Sequence, residues 1–301
     1  MAWVRVPASS ANIGCGFDCL GVALSLYNTI TVDETDSGTL EFENKNAGEF
    51  VPAGENNMIY RAAKVVFDKV GYSPAGIKIT QKSSIPMTRG LGSSSACIIG
   101  GMLGANVISG RKLSYSEIIE LAAQMEGHPD NVAPALYGGF CASVMYDGGT
   151  LVRSVKLEND LCFAAIIPNF YLSTKSSRSA LPETVAHKDA AFNVARAAVL
   201  AMSVASGRLE NLRELVRDRL HQPYRGAYID NMEQIFDRAY LLGAEAVWLS
   251  GSGPTIIAAV KKSAAKGFTE NMDAFLQDGN KSICMRLDID NVGAVVCENK
   301  E

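Results

Sequence analysis

Apolar and polar positions divide the chain into strands and helices almost from the first residue. Residues 2–7 (AWVRVP) alternate as a short strand that Pro7 ends. Residues 23–34 (ALSLYNTITVDE) resume as a strand, after an irregular polar stretch, 8–21, that carries Gly14, Gly16 and Gly21. That stretch is longer than a tight hairpin needs, as binding loops often are. Residues 38–52 alternate as an exposed strand with a turn. Residues 57–70 carry apolar side chains at Ile59, Ala62, Ala63, Val66 and Val70, the spacing of one helical face, with Asn57 placed to cap it. Residues 75–85 alternate again and lead into a turn and then an apolar run of small residues that reads as a buried helix. Gly100, Gly101 and Gly104 lie within it. Each costs about 1 kcal/mol against alanine in a helix interior. Three such costs make sense where another backbone packs close, so this helix should be central.

Residues 114–126 form an amphipathic helix with Ile118, Leu121, Ala122 and Met125 facing inward. Near residue 155 the pattern changes. A continuous apolar strand over 161–169 precedes a polar segment, helices over 189–206 and 208–220, and a loop at 221–231. A helix over 232–242 then leads into two strands flanking the turn 250–255, followed by a helix over 264–277 and a strand over 293–297. The reading is an α+β chain of two domains, 1–155 and 156–301. The β-α-β-β-α-β-like order of the second suggests a ferredoxin-like plait.

Composition narrows the function classes. At 301 residues and 48% apolar, the chain can bury two cores. The net charge is −4, and lysine and arginine are scattered rather than clustered. No basic stripe marks a nucleic-acid partner. No signal peptide is evident in MAWVRVPASSAN, and no apolar segment reaches the ~18–20 residues that span a bilayer. Seven cysteines, without CxxC or His-linked zinc spacing, read as reduced thiols of a cytoplasmic protein.

The candidate chemistry centres on residues 86–105, PMTRGLGSSSACIIGGMLGA. Pro86, Gly90 and Gly92 supply bends, and Ser93, Ser94 and Ser95 open the helix. A glycine-rich turn feeding a helix N-terminus aims free N–H groups and the positive dipole end at one place, which suits a phosphate. It is not a Walker A loop, which needs a lysine, nor a dinucleotide fingerprint, which needs an acidic residue about 20 residues on. Taken alone, such a loop is common and fixes no ligand. Elsewhere, Asn12 and Asp18 sit in the first polar loop, where an Asx-turn and a cap explain them equally well. Glu120 shares a helix face with Glu117 and Gln124, the pattern of a solvated carboxylate. His128, Asp130 and Asn131 crowd into four positions after Gly127. Thr174, Arg178 and Arg225 lie in polar segments of the second half, and a Ser250-Gly251-Ser252-Gly253-Pro254 turn joins two strands.

Together these motifs resemble the GHMP small-molecule kinases. The P-x-x-x-G-L-G-S-S-S-A string resembles their phosphate loop, and S-G-S-G-P their third motif. The segment P-A-S-S-A-N-I-G-C-G-F-D resembles their first motif, with Ser9 for the usual threonine and Cys15 for the usual proline. The G-F-D loop, E-G-H-P-D-N-V-A-P and the two arginines resemble the branch that acts on homoserine. The resemblance implies a two-domain fold, with a ribosomal-protein-like N-terminal β/α domain and a C-terminal ferredoxin-like domain that completes the substrate site. It also implies phosphorylation of L-homoserine by ATP with Mg²⁺, a place in threonine biosynthesis, and often a homodimer. The acidic balance argues against a nucleic-acid role for the ribosomal-protein-like half.

The resemblance also implies residue roles. ATP would lie against Asn57 and the run Pro86, Met87, Thr88, Arg89, Gly90, Leu91, Gly92, Ser93, Ser94, Ser95 and Ala96. Ser94 and Glu120 would hold the metal, Glu120 because it lies eleven residues before Asn131. Asn12, Asp18, His128, Asn131, Thr174, Arg178, Arg225 and Ser252 would contact the amino-acid substrate. Asn131, His128, Arg178 and Arg225 would serve catalysis. Asn131 occupies the position where mevalonate kinases carry a putative catalytic aspartate, and an amide does not titrate near neutral pH. Transfer without a general base follows, tolerable because an attacking hydroxyl gives up its proton late in a loose transition state. The alternatives are another kinase of the family, which should carry aspartate at 131, and an inactive ligand sensor, which should have lost the metal carboxylate or a loop glycine.

Overall fold

The computed structural model describes residues 1–46, 51–276 and 282–297, and all side chains in them except those of residues 174 and 175. The first domain contains β1 (Ala2–Ala11), β2 (Leu20–Thr35), β3 (Leu40–Asn44), α1 (Met58–Val70), β4 (Gly76–Ser83), α2 (Ser93–Ile108), α3 (Tyr115–Glu126), α4 (Val132–Tyr137), β5 (Phe140–Tyr146) and β6 (Gly149–Val155). The second contains β7 (Leu161–Ile167), α5 (Thr174–Ser179), α6 (His187–Ser206), α7 (Leu212–Leu215), α8 (Gln222–Arg225), α9 (Met232–Leu241), β8 (Ala246–Leu249), β9 (Ile256–Lys261), α10 (Ala265–Leu276) and β10 (Ile283–Leu287). A final strand, β11 (Val295–Cys297), returns to pair antiparallel with β1.

The first sheet runs β11-β1-β2-β4-β3, with β5 also paired to β2 and β6 to β5. Only β3 and β4 pair in parallel, and α1 makes the crossover between them. Helix α2 packs against this sheet, as its glycines predict. A Cβ on Gly101 would strike the Ile59 carbonyl of α1, and one on Gly104 would enter Val32 of β2. The second sheet is antiparallel in the order β10-β7-β9-β8. Numbered within its own domain this is 4-1-3-2, the order of a ferredoxin-like plait. The family's two-domain α+β architecture is therefore present.

Several boundaries differ from the sequence pattern for physical reasons. Strand β1 continues through Pro7 to Ala11. Pro7 sits at a bulge where the β1–β2 register shifts, beyond the last residue paired to β11. A strand tolerates a missing N–H at such a place. The expected helix over 208–220 shrinks to α7. The buried Asp218 carboxylate takes the N–H groups of Leu220, His221 and Gln222, offering the backbone partners that a helix would otherwise supply. On α3 the buried stripe is Ile118, Ile119, Ala122 and Ala123, with Leu121 and Met125 only partly buried. The hairpin β5–β6 falls outside the predicted elements. Part of the strand-and-turn expected over 38–52, residues 47–50, lies outside the described residues.

Candidate active site

A cavity of about 300 Å³ opens where the β4–α2 loop, the start of α1, residues 126–131 and the turn at 250–252 converge. Its wall at the β4–α2 loop is shaped by glycines and backbone. Gly90 and Gly92 hold φ angles of +78° and +68°, a left-handed conformation that other residues adopt at a cost. A Cβ on Gly90 would lie 2.8 Å from the Gly253 carbonyl oxygen and closer still to that of Ser250. One on Gly92 would collide with the Ser9 hydroxyl. Gly92 also caps α2 without offering a side chain, so the N–H groups of the first turn receive no side-chain acceptor. That is the arrangement an anion requires.

The loop is braced from both domains. Ser9 N–H donates to the Leu91 carbonyl at 3.2 Å, Thr255 N–H to that of Arg89 at 3.2 Å, and the Ser250 hydroxyl to that of Gly90 at 2.5 Å. Met87, Thr88, Arg89, Ser93, Ser94 and Ser95 line the cavity. Pro86, Leu91 and Ala96 do not. Leu91 and Ala96 are core residues, 1% and 0% exposed, so they shape the loop without meeting a ligand. Asn57 borders the cavity, but its carbonyl oxygen accepts from the N–H groups of Ile59 and Tyr60, as helix capping predicts. Arg89 is buried, stacks 4.0 Å over the exposed Tyr171 ring, and its Nη1 has no hydrogen-bond partner among the described residues. Nothing in the sequence pattern singled out Tyr171.

The metal expectation needs a correction. Glu120 does not line the cavity, and its Oε1 accepts from Gln124 at 3.3 Å on the outer part of α3. Glu126 occupies the place expected for it: the Ser94 hydroxyl donates to Glu126 Oε2 at 3.1 Å. At about 3.6 residues per turn, six residues put these two glutamates roughly 240° apart around the helix, so only one can face Ser94. Glu126 ends α3, where Gly127 in the left-handed conformation turns the chain into the site. The signal in the sequence was that adjacency to Gly127 and His128, which the eleven-residue count overrode. Burial pushes the Glu126 carboxyl above the usual carboxylate range, against the opposing pull of His128 and Ser94. A divalent cation with a nucleotide's phosphates would offset that penalty. A buried carboxylate beside a hydroxyl and a phosphate cradle is an oxygen donor set that suits Mg²⁺.

The rest of the cavity lining is made of side chains. The Ser9 hydroxyl donates to Asn131 Oδ1 at 2.9 Å, which leaves the amide NH₂ as the group Asn131 can offer to the cavity. His128 Nδ1 lies 2.5 Å from Asp130 Oδ1. Burial works to lower the His128 imidazole, but the Asp130 carboxylate, with the charges of Glu126 and Asp18, outweighs it and raises the group above its ordinary value. Asn12 Oδ1 accepts from Asp18 N–H at 3.0 Å, and its Nδ2 donates to the Gly251 carbonyl at 2.9 Å, so Asn12 organises the loop that presents Asp18. Arg178, on α5, makes a two-pronged pair with the Asp18 carboxylate at 2.8 and 3.1 Å. Arg225, on α8, is 2% exposed and donates to the Gly251 carbonyl at 2.9 Å. Burial, reinforced by Arg178, pushes its guanidinium down to about 10. Ser252 lines the same wall. Thr174 opens α5, but its side chain lies outside the described residues. The sequence reading missed Ser9, Glu126 and His221 as contributors.

A glycine-shaped helix N-terminus and a cluster of paired charges lining one cleft form the layout of a small-molecule kinase, and comparison with known proteins agrees. The family described as GHMP kinases N terminal domain matches residues 57–139, and GHMP kinases C terminal matches residues 195–278. The chain belongs to the GHMP kinase family. Within that family it is 44% identical to the homoserine kinase of Clostridium beijerinckii, over 99% of both chains. It is also 44% identical to that of Caldicellulosiruptor saccharolyticus, over 98% of this chain and 96% of the relative. The crystal structure of homoserine kinase from Cytophaga hutchinsonii superposes with a TM-score of 0.87 at 26% identity, covering 98% of this chain and 97% of that one. A mevalonate kinase structure at 15% identity shares the fold, with a TM-score of 0.73.

Proposed function

We propose that this chain transfers the γ-phosphoryl group of ATP to the side-chain hydroxyl of L-homoserine, giving O-phospho-L-homoserine and ADP for threonine biosynthesis. The observation that carries the substrate choice is the pairing of Asp18 with Arg178, with the buried Arg225, in the same cavity as the β4–α2 loop. An amino acid brings an ammonium and a carboxylate, and these groups complement both. Arginine forks onto a carboxylate as no lysine does. The relatives named homoserine kinases support the same reading across the full chain length.

In this reading the first turn of α2 and the loop at Gly90 and Gly92 hold the phosphates. Ser94 and Glu126 would hold Mg²⁺, whose chemistry is to neutralise charge between the β- and γ-phosphates. Asp18 takes the substrate ammonium, and Arg178 and Arg225 take its carboxylate, with Ser252 beside it. The hydroxyl oxygen attacks the γ-phosphorus in line as the bond to the bridging oxygen breaks.

The base-free account rests on two contacts. Asn131 accepts from Ser9 at Oδ1, which turns its NH₂ toward the reacting oxygens, and its amide does not titrate near neutral pH. The Asp130 carboxylate raises the affinity of His128 for its proton, which favours a donor role for this residue too. Neither group takes the hydroxyl proton, which passes late to the transferred phosphoryl group. All seven cysteines are free, which supports a reducing, cytoplasmic setting. No helix among the described residues is long and apolar enough to cross a membrane.

The test is ATP-dependent phosphorylation of L-homoserine beside L-threonine, mevalonate and galactose. The expected result is turnover of homoserine well above the other three. Equal turnover of all four, or none with homoserine, would overturn the reading.

A further inference from the structure

We propose that His221 is a positioning residue that fixes the Arg225 guanidinium for a ligand carboxylate; this deepens, and rests on, the reading of the site as one for an amino-acid substrate. His221 is fully buried and lies one helical turn before Arg225. Its Nε2 sits 2.8 Å from the Gly14 carbonyl oxygen, and its Nδ1 sits 3.3 Å from Arg225 Nη1. A carbonyl can only accept and a guanidinium can only donate. The two contacts together therefore demand one form of the ring, neutral, with its proton on Nε2 and a lone pair on Nδ1.

The surroundings favour that form. Burial lowers the imidazole below its ordinary value and Arg225 adds to the effect, against the opposing charges of Asp218 and Asp18 and the Gly14 contact. Asp218 Oδ2, 3.6 Å from Nε2, is already committed to the N–H groups of His221 and Gln222. The ring stacks on Phe17 with centroids 5.3 Å apart, and the same Phe17 lies 5.2 Å beneath the Arg225 guanidinium. The imidazole is thus held on its face by Phe17 and at its edge by Gly14.

The consequence falls on Arg225. Nη1 has two hydrogens, and the Gly251 carbonyl and His221 Nδ1 take both. Nε makes no hydrogen bond to the protein among the described residues, although it is buried. The edge formed by Nε and Nη2 is therefore the one left for a ligand, and that edge matches the two oxygens of a carboxylate. Without an acceptor at Nδ1, the guanidinium keeps only the Gly251 contact and the Phe17 face, and its fork is less firmly oriented.

Two variants and one spectrum test this. In His221→Gln the polar group reaches the Nε2 position and leaves no acceptor where Nδ1 was; in His221→Asn the amide oxygen can stand near Nδ1. Gln should raise the KM for L-homoserine roughly tenfold to a hundredfold, the cost of a lost hydrogen bond to a charged group. The KM for ATP should stay within about twofold, and Asn should recover most of the loss. Equal homoserine KM in both variants and the native chain, a Gln variant better than Asn, or KM values for both substrates rising together would each overturn the proposal. The unmodified protein gives a check that survives misfolding of either variant. Its three histidines can be labelled with ¹⁵N, and His221 should show the neutral Nε2–H tautomer between pH 6 and 9. An imidazolium or Nδ1–H signal there would overturn it. A native chain that phosphorylates no homoserine would instead remove the functional reading, leaving the tautomer measurement standing.

Discussion

The two ends of the cavity are built on different principles. At the nucleotide end the ligand-facing groups are backbone, set by glycines whose φ angles no other residue takes cheaply and braced by main-chain contacts to Ser9 and Thr255. At the amino-acid end of the proposed site they are ionisable side chains held by their neighbours: Asp18 by Arg178, His128 by Asp130, and Arg225 Nη1 by the Gly251 carbonyl and His221, while Arg225 Nε has no partner among the described residues. The first end is complete before a ligand arrives. The second pairs Asp18 with Arg178 and His128 with Asp130, and leaves the Nε edge of Arg225 for the carboxylate of a zwitterion. Burying unpaired charges would cost several kcal/mol each, so the internal pairing is what allows a charged pocket to exist without its ligand.

The largest effects should separate the two ends. Arg225→Met removes a buried, hydrogen-bonded charge and should lower kcat/KM for homoserine by about 10²–10³-fold while leaving the KM for ATP near native. Gly90→Ala forces a Cβ against the Ser250 and Gly253 carbonyls. It should lower kcat/KM for ATP by about 10²-fold, the usual result of displacing a phosphate cradle by an ångström, with a smaller change in homoserine KM. Steady-state kinetics with each substrate varied in turn decides the matter. If both variants damage both substrates equally, the ends are one unit and the contrast is wrong.

This contrast also explains what could be read from the sequence. The turn and helix start of the β4–α2 loop were legible because their demands are local: Gly90, Gly92 and the three serines state them within a few residues. The fold was legible for a similar reason, since α2 announces its central position through Gly101 and Gly104. The amino-acid end is assembled over long range. Asp18 and Arg178 are 160 residues apart in the chain, and no spacing rule places them together. Only the family resemblance supplied those residues, and where it counted eleven residues back from Asn131 to Glu120, helix phase puts Glu126 in the cavity instead. His221 was invisible because a buried histidine in a polar loop has no signature until its two ring contacts are known.

A smaller effect tests that correction. Glu126→Gln should raise the Mg²⁺ concentration for half-maximal activity at least tenfold, since even partners that merely support a metal ligand are worth about 10–100-fold. Glu120→Gln should leave it unchanged within about twofold, because that carboxylate meets Gln124 and not the cavity. A Mg²⁺ titration of both variants reads the difference. Were Glu120→Gln the damaging change, the metal position would move out of the cavity and the helix-phase argument would fall with it.

The smallest expected effect concerns the paired charges themselves. His128 has its folded-state affinity for a proton raised above the ordinary value by Asp130, Glu126 and Asp18, despite burial. A group raised in this way adds stability that is complete below its unfolded value, near pH 6.5, and is lost as pH rises through the folded value. Asp130→Asn removes the carboxylate that holds the proton, so burial then dominates and His128 should become harder to protonate. The native chain should therefore exceed Asp130→Asn in Tm most clearly at pH 6, and the gap should narrow toward pH 8.5. In a chain of this size each kcal/mol corresponds to about 2–4 °C. Thermal melts at intervals across that range measure the gap. A gap that is constant or widens with pH would mean that the pair is not held by a proton on His128. His128 could then serve as an acceptor at neutral pH, and the case for base-free transfer would lose one of its two supports.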